Sequence, residues 1–190
     1  FRRPRNKPNT EKLSLWNIFI NHKLSSPLRA NPYHQPYAVS KMCGIVAGVS
    51  ASNTPICDAS THDRATMLAK RVDHRGPDDI GVHQSPNGVF WMAHTRLAIV
   101  GPDAGHQPIF STDKSSMCVV NGEVYNHLDL RNQWQVPQEE LTTQSDSEIV
   151  IHGYKRFGNA VCDQLLGMFA FVVTAEEGKK VLACRDKIGI

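Results

Sequence analysis

The chain has 190 residues, 41% of them hydrophobic, with 21 basic and 18 acidic side chains; this describes a soluble globular protein with one sizeable core. Its net charge of +3 is unevenly placed: residues 1–41 hold eight Lys or Arg and a single acid, Glu11, which leaves thirteen basic and seventeen acidic residues in a mildly acidic remainder. The basic excess lies in a Pro- and Asn-rich stretch without a periodic apolar face, so nucleic acid is not an indicated partner. No run approaches the roughly 18 apolar residues of a membrane span. The five cysteines, Cys43, Cys57, Cys118, Cys162 and Cys184, have neither Cys-x-x-Cys spacing nor a histidine at ligand distance, so no disulfide framework and no metal site is expected. A reducing compartment fits: the cytoplasm, or an organelle if residues 1–41 act as a presequence.

Residues 1–41 are rich in Arg, Lys, Pro, Asn and Ser, and read as a disordered leader, a presequence or a translated upstream segment. The first methionine is Met42, and the texture changes there to short apolar runs between Gly, Pro and Asp clusters. A domain is therefore expected over 42–190. Gly44 to Val49 reads as a buried strand, and His62 to Val72 as a helix with Ala65, Leu68, Ala69 and Val72 on one face, stopped by Gly76-Pro77. Val89 to Val100 and Met117 to Val120 read as strands, the second ending at Asn121-Gly122. Helices are expected at His127 to Trp134 and at Ser147 to Phe157, with Ser145 or Asp146 as N-cap, and a short one at Ala160 to Leu166. Met168 to Thr174 and Lys180 to Arg185, separated by Glu176-Glu177-Gly178, form a predicted hairpin. Helices that interrupt strand pairs point to an α+β fold. The last residues, up to Ile190, carry no finishing turn or cap, so the chain reads as a fragment.

Met42-Cys43-Gly44-Ile45 is the tetrapeptide with most chemistry in it. If Met42 is removed, Cys43 owns a free α-amino group whose pKa, about 7.7 to 8.0, suits it to take the proton of a thiol of pKa about 8.5. Nucleophile and base then come from one residue. The alternative is a small buried Cys at the head of a strand, and the tetrapeptide alone does not separate the two.

Five segments in order, Met42-Cys43-Gly44-Ile45, His74-Arg75-Gly76-Pro77-Asp78, Arg96-Leu97-Ala98-Ile99-Val100, Asn121-Gly122-Glu123-Val124-Tyr125-Asn126 and Ser145-Asp146-Ser147-Glu148, resemble those of the glutamine-dependent asparagine synthetases. Gly167-Met168-Phe169-Ala170-Phe171 and Arg185-Asp186 fit the same family, and the resemblance covers Met42 to Ile190. It implies an N-terminal nucleophile hydrolase fold, a four-layer αββα sandwich of two antiparallel sheets between helices, and a class II glutamine amidotransferase reaction.

The resemblance also implies roles. Cys43 is the nucleophile, and Asn121 and Gly122 form an oxyanion hole, for which an amide side chain and a closely approached backbone N–H are suited. Arg96 grips the substrate carboxylate through its two-point fork; Leu97, Ile99 and Val100 line the substrate; Asp146 pairs with the substrate ammonium, assisted by Glu123. Arg96 as a surface strand end, Asn121-Gly122 as a turn and Asp146 as a helix cap are the bland readings of the same residues. His74 to Asp78 is expected to serve structure, and His83, His94, His106 and His127 show no metal-ligand spacing. Glutamine is the implied small-molecule partner, and no cofactor is implied in this domain. ATP and Mg²⁺ belong to a synthetase domain expected downstream, where aspartate becomes asparagine; a homodimer is left open. Two other readings remain: a non-catalytic glutaminase-like binding or regulatory domain if the leader is retained, and the ammonia-supplying domain of another class II amidotransferase.

Overall fold

A computed structural model describes residues 15–19, 43–97 and 106–189. The fold is α+β, as the sequence predicted. Sheet A is built from β1 (Leu15–Phe19), β2 (Gly44–Ser50), β3 (Asp79–Gln84) and β4 (Phe90–Arg96), in the order β1-β2-β4-β3. Sheet B contains β5 (Ile109–Phe110), β6 (Met117–Val124), β7 (Gly167–Ala175) and β8 (Lys180–Arg185), in that order. All described pairings are antiparallel. The helices are α1 (Thr61–Lys70), α2 (His127–Gln133) and α3 (Ile149–Phe157).

Side chains of a strand alternate between its two faces, and three buried clusters sort them. Val46 and Trp91 meet Ala65 and Val72 on the α1 side of sheet A. Ile45, Ala47, Phe90 and Met92 face Met117, Val119 and Val172 of sheet B. Cys118, Val120, Phe171 and Val173 pack under α2 and α3, against Leu130, Ile149, Val150 and Tyr154. Strands buried on both faces read as continuous apolar runs, which is why Gly44 to Val49 lacks alternation.

The departures from expectation have local causes. β6 runs through Asn121-Gly122 to Val124, because Asn121 and Gly122 pair with Ala170 and Phe169 and no turn forms there. A 3-10 segment, Gly158–Asp163, replaces the short helix expected at Ala160 to Leu166, with glycine at φ 57 just after α3. β3 was missed because nearly all its side chains are half-buried, which leaves no period-2 pattern; β5 has only two residues. Within the leader, expected to lack regular structure, Leu15–Phe19 pair with β2 from Ser50 to Val46. The rest of residues 1–42 lies outside the described residues.

Phe171 is fully buried beside Phe169, ring centroids 5.7 Å apart. Phe171→Ala should lower stability by about 3–5 kcal/mol, whereas Met67→Ala, on the exposed face of α1, should stay within about 0.5 kcal/mol of the parent. Urea midpoints measure both, and equal midpoints would show that the assigned face of sheet B is wrong.

Candidate active site

The register of β2 against β4 puts Gly44 opposite Thr95, so Cys43, one residue before β2, comes beside the end of β4. Leu97 N–H donates to Cys43 Sγ at 3.4 Å. Gly44 N–H donates to Thr95 Oγ1 at 3.0 Å, and that hydroxyl donates to the Val72 carbonyl at 3.3 Å. The head of β2 is thus tied to β4 and to the segment after α1.

The His74–Asp78 segment does more than end α1. Arg75 Nε donates to the Cys43 carbonyl at 3.2 Å, and Asp78 N–H donates to the Arg96 carbonyl at 3.0 Å. A Cβ on Gly76 would lie 2.5 Å from the Arg96 carbonyl carbon, so only glycine lets this turn press against the β4 backbone. Arg75 and Gly76 therefore hold the backbone of Cys43 and Arg96. Their place in the quoted segment was legible, but the contact was not, because it joins residues about thirty positions apart.

Arg96 is 7% exposed, a buried guanidinium rather than the surface Arg of the bland reading. Asn121, 5% exposed, is in phase with Met117 and Val119 and so faces sheet A, as Phe90, Met92 and Arg96 face sheet B. His94 on β4 makes a hydrogen bond with the backbone of Val120 on β6, which aligns the end of β4 with the Asn121 end of β6. Cys43, Arg96 and Asn121 thus come to one end of the layer between the sheets. Gly122 has φ 118, and a Cβ there would lie 1.9 Å from the Met168 carbonyl oxygen. The position accepts no side chain.

Asp146 does not cap α3. Ser145 Oγ accepts from Ser147 N–H at 3.2 Å as the cap of the 3-10 turn Asp146–Glu148, while Asp146 Oδ2 accepts from Val124 N–H at 2.7 Å. That bond brings Asp146 to the end of β6, two positions past Gly122; Glu123 between them is exposed. Glu148, 1% exposed, accepts from the N–H and hydroxyl of Thr142 and of Thr143 at 2.6–2.8 Å. These four donors satisfy a buried carboxylate and fix the loop that carries Asp146. Glu148 was legible only as the last residue of the Ser145-to-Glu148 segment. Leu97 is half-buried at the site; Ile99 and Val100 lie outside the described residues.

Among the described residues no group of three or more His, Cys, Asp or Glu is placed to hold a metal, and no helix is long and apolar enough to cross a membrane. His83 stacks edge-on against Phe110, and His106 Nδ1 lies 2.9 Å from Asp79 Oδ2.

The chain belongs to the glutamine amidotransferase family: residues 42–190 match the Glutamine amidotransferase domain. It is a class II domain similar to the N-terminal part of asparagine synthetases. Over 149 residues, 78% of this chain, it is 40% identical to the nodule asparagine synthetase [glutamine-hydrolyzing] of Pisum sativum, and equally to asparagine synthetase [glutamine-hydrolyzing] 1 of Lotus japonicus and 2 of Oryza sativa subsp. japonica. The match spans 24% of each of these relatives. Among solved structures, glutamine phosphoribosylpyrophosphate amidotransferase from B. subtilis matches with a TM-score of 0.42 at 25% identity, over 54% of this chain and 24% of that one.

His94 is 1% exposed with no partner on Nε2, and burial pushes its pKa down to about 4, Arg96 adding to the shift against the opposing Val120 bond and Asp79 charge. The folded protein therefore keeps His94 neutral where the unfolded chain, near 6.5, binds a proton. Stability should be intact above about pH 6.5 and fall as the pH drops toward about 4, by roughly 3 kcal/mol from this residue. Urea midpoints across that window should fall less steeply in His94→Gln; an unchanged slope would show that His94 is not held neutral.

Proposed function

We propose that this domain hydrolyses glutamine to glutamate and ammonia, with Cys43 as nucleophile once the peptide bond before it has been cut. The observation that carries this reading is the convergence of Cys43, Arg96 and Asn121-Gly122 at one end of the inter-sheet layer, with Leu97 N–H on Cys43 Sγ. This arrangement corresponds to the N-terminal nucleophile hydrolase fold, with α1, sheet A, sheet B and the α2–α3 pair as the layers of an αββα sandwich.

In the proposed reaction the α-amine of Cys43 takes the thiol proton, and Sγ bonds to the side-chain carbonyl carbon of glutamine. Asn121 Nδ2 and Gly122 N–H donate to the oxygen that becomes negative. The ammonium passes its proton to the amide nitrogen as the carbon–nitrogen bond breaks, and ammonia leaves. Water, deprotonated by the same amine, then attacks the thioester; the sulfur–carbon bond breaks and glutamate and the thiol result. Arg96 holds the substrate carboxylate, Asp146 and Glu123 its ammonium, and Leu97, Ile99 and Val100 the aliphatic part. In a longer protein like the asparagine synthetases it matches, the ammonia would go to a downstream synthetase domain that uses ATP, Mg²⁺ and aspartate. None of that chemistry falls to this domain.

A second reading rests on β1: Leu15–Phe19 pair along β2, so a leader left in place would keep the Cys43 nitrogen in an amide and the domain would bind without catalysing. Cutting separates the two. A protease site placed to expose Cys43 should switch on ammonia release in the same preparation, and Cys43→Ala should stay silent before and after. Equal activity in uncut protein of confirmed mass would overturn the α-amine as base.

Binding and chemistry can also be told apart. Arg96→Ala and Asp146→Ala remove contacts made equally in ground and transition states and should chiefly raise KM, while Asn121→Ala should lower kcat by about 10²-fold or more. Steady-state ammonia release gives both constants. The reverse pattern would exchange the two assignments.

A further inference from the structure

β5 pairs Ile109 with Cys118 and Phe110 with Met117, so continuing the same register sets residue 107 opposite Val120. No strand backbone meets Val120 there. Instead the Gln107 side chain does: Nε2 donates to the Val120 carbonyl at 3.0 Å, and Val120 N–H donates to Gln107 Oε1 at 2.6 Å. These are the two bonds that a paired residue exchanges across an antiparallel ladder, made by one amide side chain.

Gln107 is itself fastened. A Cβ on Gly81 of β3 would lie 1.7 Å from the Gln107 carbonyl oxygen, so the Gln107 backbone packs into the space that glycine leaves. The neighbouring His106 reaches Asp79, also on β3. The segment therefore bridges an edge of sheet A to an edge of sheet B.

Backbone groups of a strand point alternately to its two neighbours. Val120 N–H points to the β5 side, toward Gln107, and Val124 N–H meets Asp146 Oδ2 at 2.7 Å. Gly122, midway between them, must direct its N–H to that same side. An ordinary strand continuing past Gln107 would pair with Gly122 and consume this donor. Ending the ladder at Val120 without a partner would leave its buried N–H unpaired, at a cost, and its C=O with the His94 bond alone.

We propose that Gln107 is a positioning residue for the oxyanion donors: its side-chain amide closes the sheet ladder at Val120 and holds the next outward N–H, that of Gly122, and the Asn121 side chain toward the substrate. This rests on the glutaminase reading above. Gln107 touches no reacting atom in this account; it acts through the β6 backbone.

The test uses the whole chain, cut before Cys43. Gln107→Ala should lower kcat for ammonia release by about tenfold or more and leave KM for glutamine within about twofold, because the donors it orients matter most to the developing oxyanion. Alkylation of Cys43 by iodoacetamide should keep its parent rate, which shows that the site is still folded. In the Asn121→Ala background the Gln107→Ala effect should shrink, since both act on one group. Gln107→Glu supplies the conservative rescue: a protonated carboxyl can donate to the Val120 carbonyl and accept from its N–H as the amide does, but a carboxylate cannot. Its kcat relative to the parent at each pH should therefore rise as the pH falls toward the carboxyl's own range, from about 7 to about 5.

A Gln107→Ala protein that alkylates normally and keeps the parent kcat, or whose loss lies in KM alone, would overturn the positioning role. So would a Gln107→Glu ratio flat with pH. If the cut parent itself releases no ammonia while alkylating at Cys43, the glutaminase reading falls and this proposal falls with it.

Discussion

The register between β2 and β4 decides where Cys43 can be. With Gly44 opposite Thr95 and Ile45 opposite His94, the odd-numbered residues of β2 turn toward sheet B, and Cys43 follows them to the edge of that layer. A slip by one residue would turn the same thiol toward α1, away from Arg96 and Asn121. The slip is opposed on both faces at once: Ile45 and Ala47 would leave the inter-sheet cluster, and Val46 would leave its place against Ala65 and Trp91. The apolar core thereby holds the polar site in register, although no residue of the core need touch a substrate.

The polar residues of the site lie where the sheets run out. In the middle of the layer Phe90, Met92, Val119 and Val172 exclude water; at the end Arg96, His94 and Asn121 take their places in the same alternation. Burying a guanidinium and an amide is costly unless partners are fixed nearby. The backbone that carries them is fixed: Arg75 and Asp78 donate to the carbonyls of Cys43 and Arg96, and Gly76 packs against Arg96. Glu148 gathers Thr142 and Thr143 beneath Asp146. Side chains take over from strand ladders at this end of β6, Gln107 at Val120 and Asp146 at Val124, so the N–H groups of these two residues are paired.

Sequence alone went far here because the candidate residues lie in short contiguous segments. The Cys-Gly-Ile start of β2, the Arg96-Leu97 end of β4, Asn121-Gly122 and Ser145-to-Glu148 could each be read as a unit, and their resemblance to one family supplied the set of candidate residues, while the order of helices and strand pairs supplied the α+β class. Long apolar runs gave β2, β4 and β7, and the periodic face of α1 gave its helix, since burial of one side repeats at a fixed interval. The comparisons bear out the family, and they carry the chain to the N-terminal quarter of its relatives.

Tertiary structure decided what no local pattern encodes. Asn-Gly is a common turn signal, yet here it continues β6, because pairing with Ala170 and Phe169 outweighs a local preference. β3 and β5 exist because neighbours complete their ladders, not through any strong alternation of their own. Arg75 on Cys43, Glu148 on the Thr142–Thr143 pair and Gln107 on Val120 are contacts between residues whose partners the sequence does not name. The sequence by itself determined which residues are candidates for the chemistry, because residue type and near-neighbour order are local properties. Only the fold decided how their backbones are held and which way they face, because those depend on strand register and on hydrogen bonds between segments far apart in the chain.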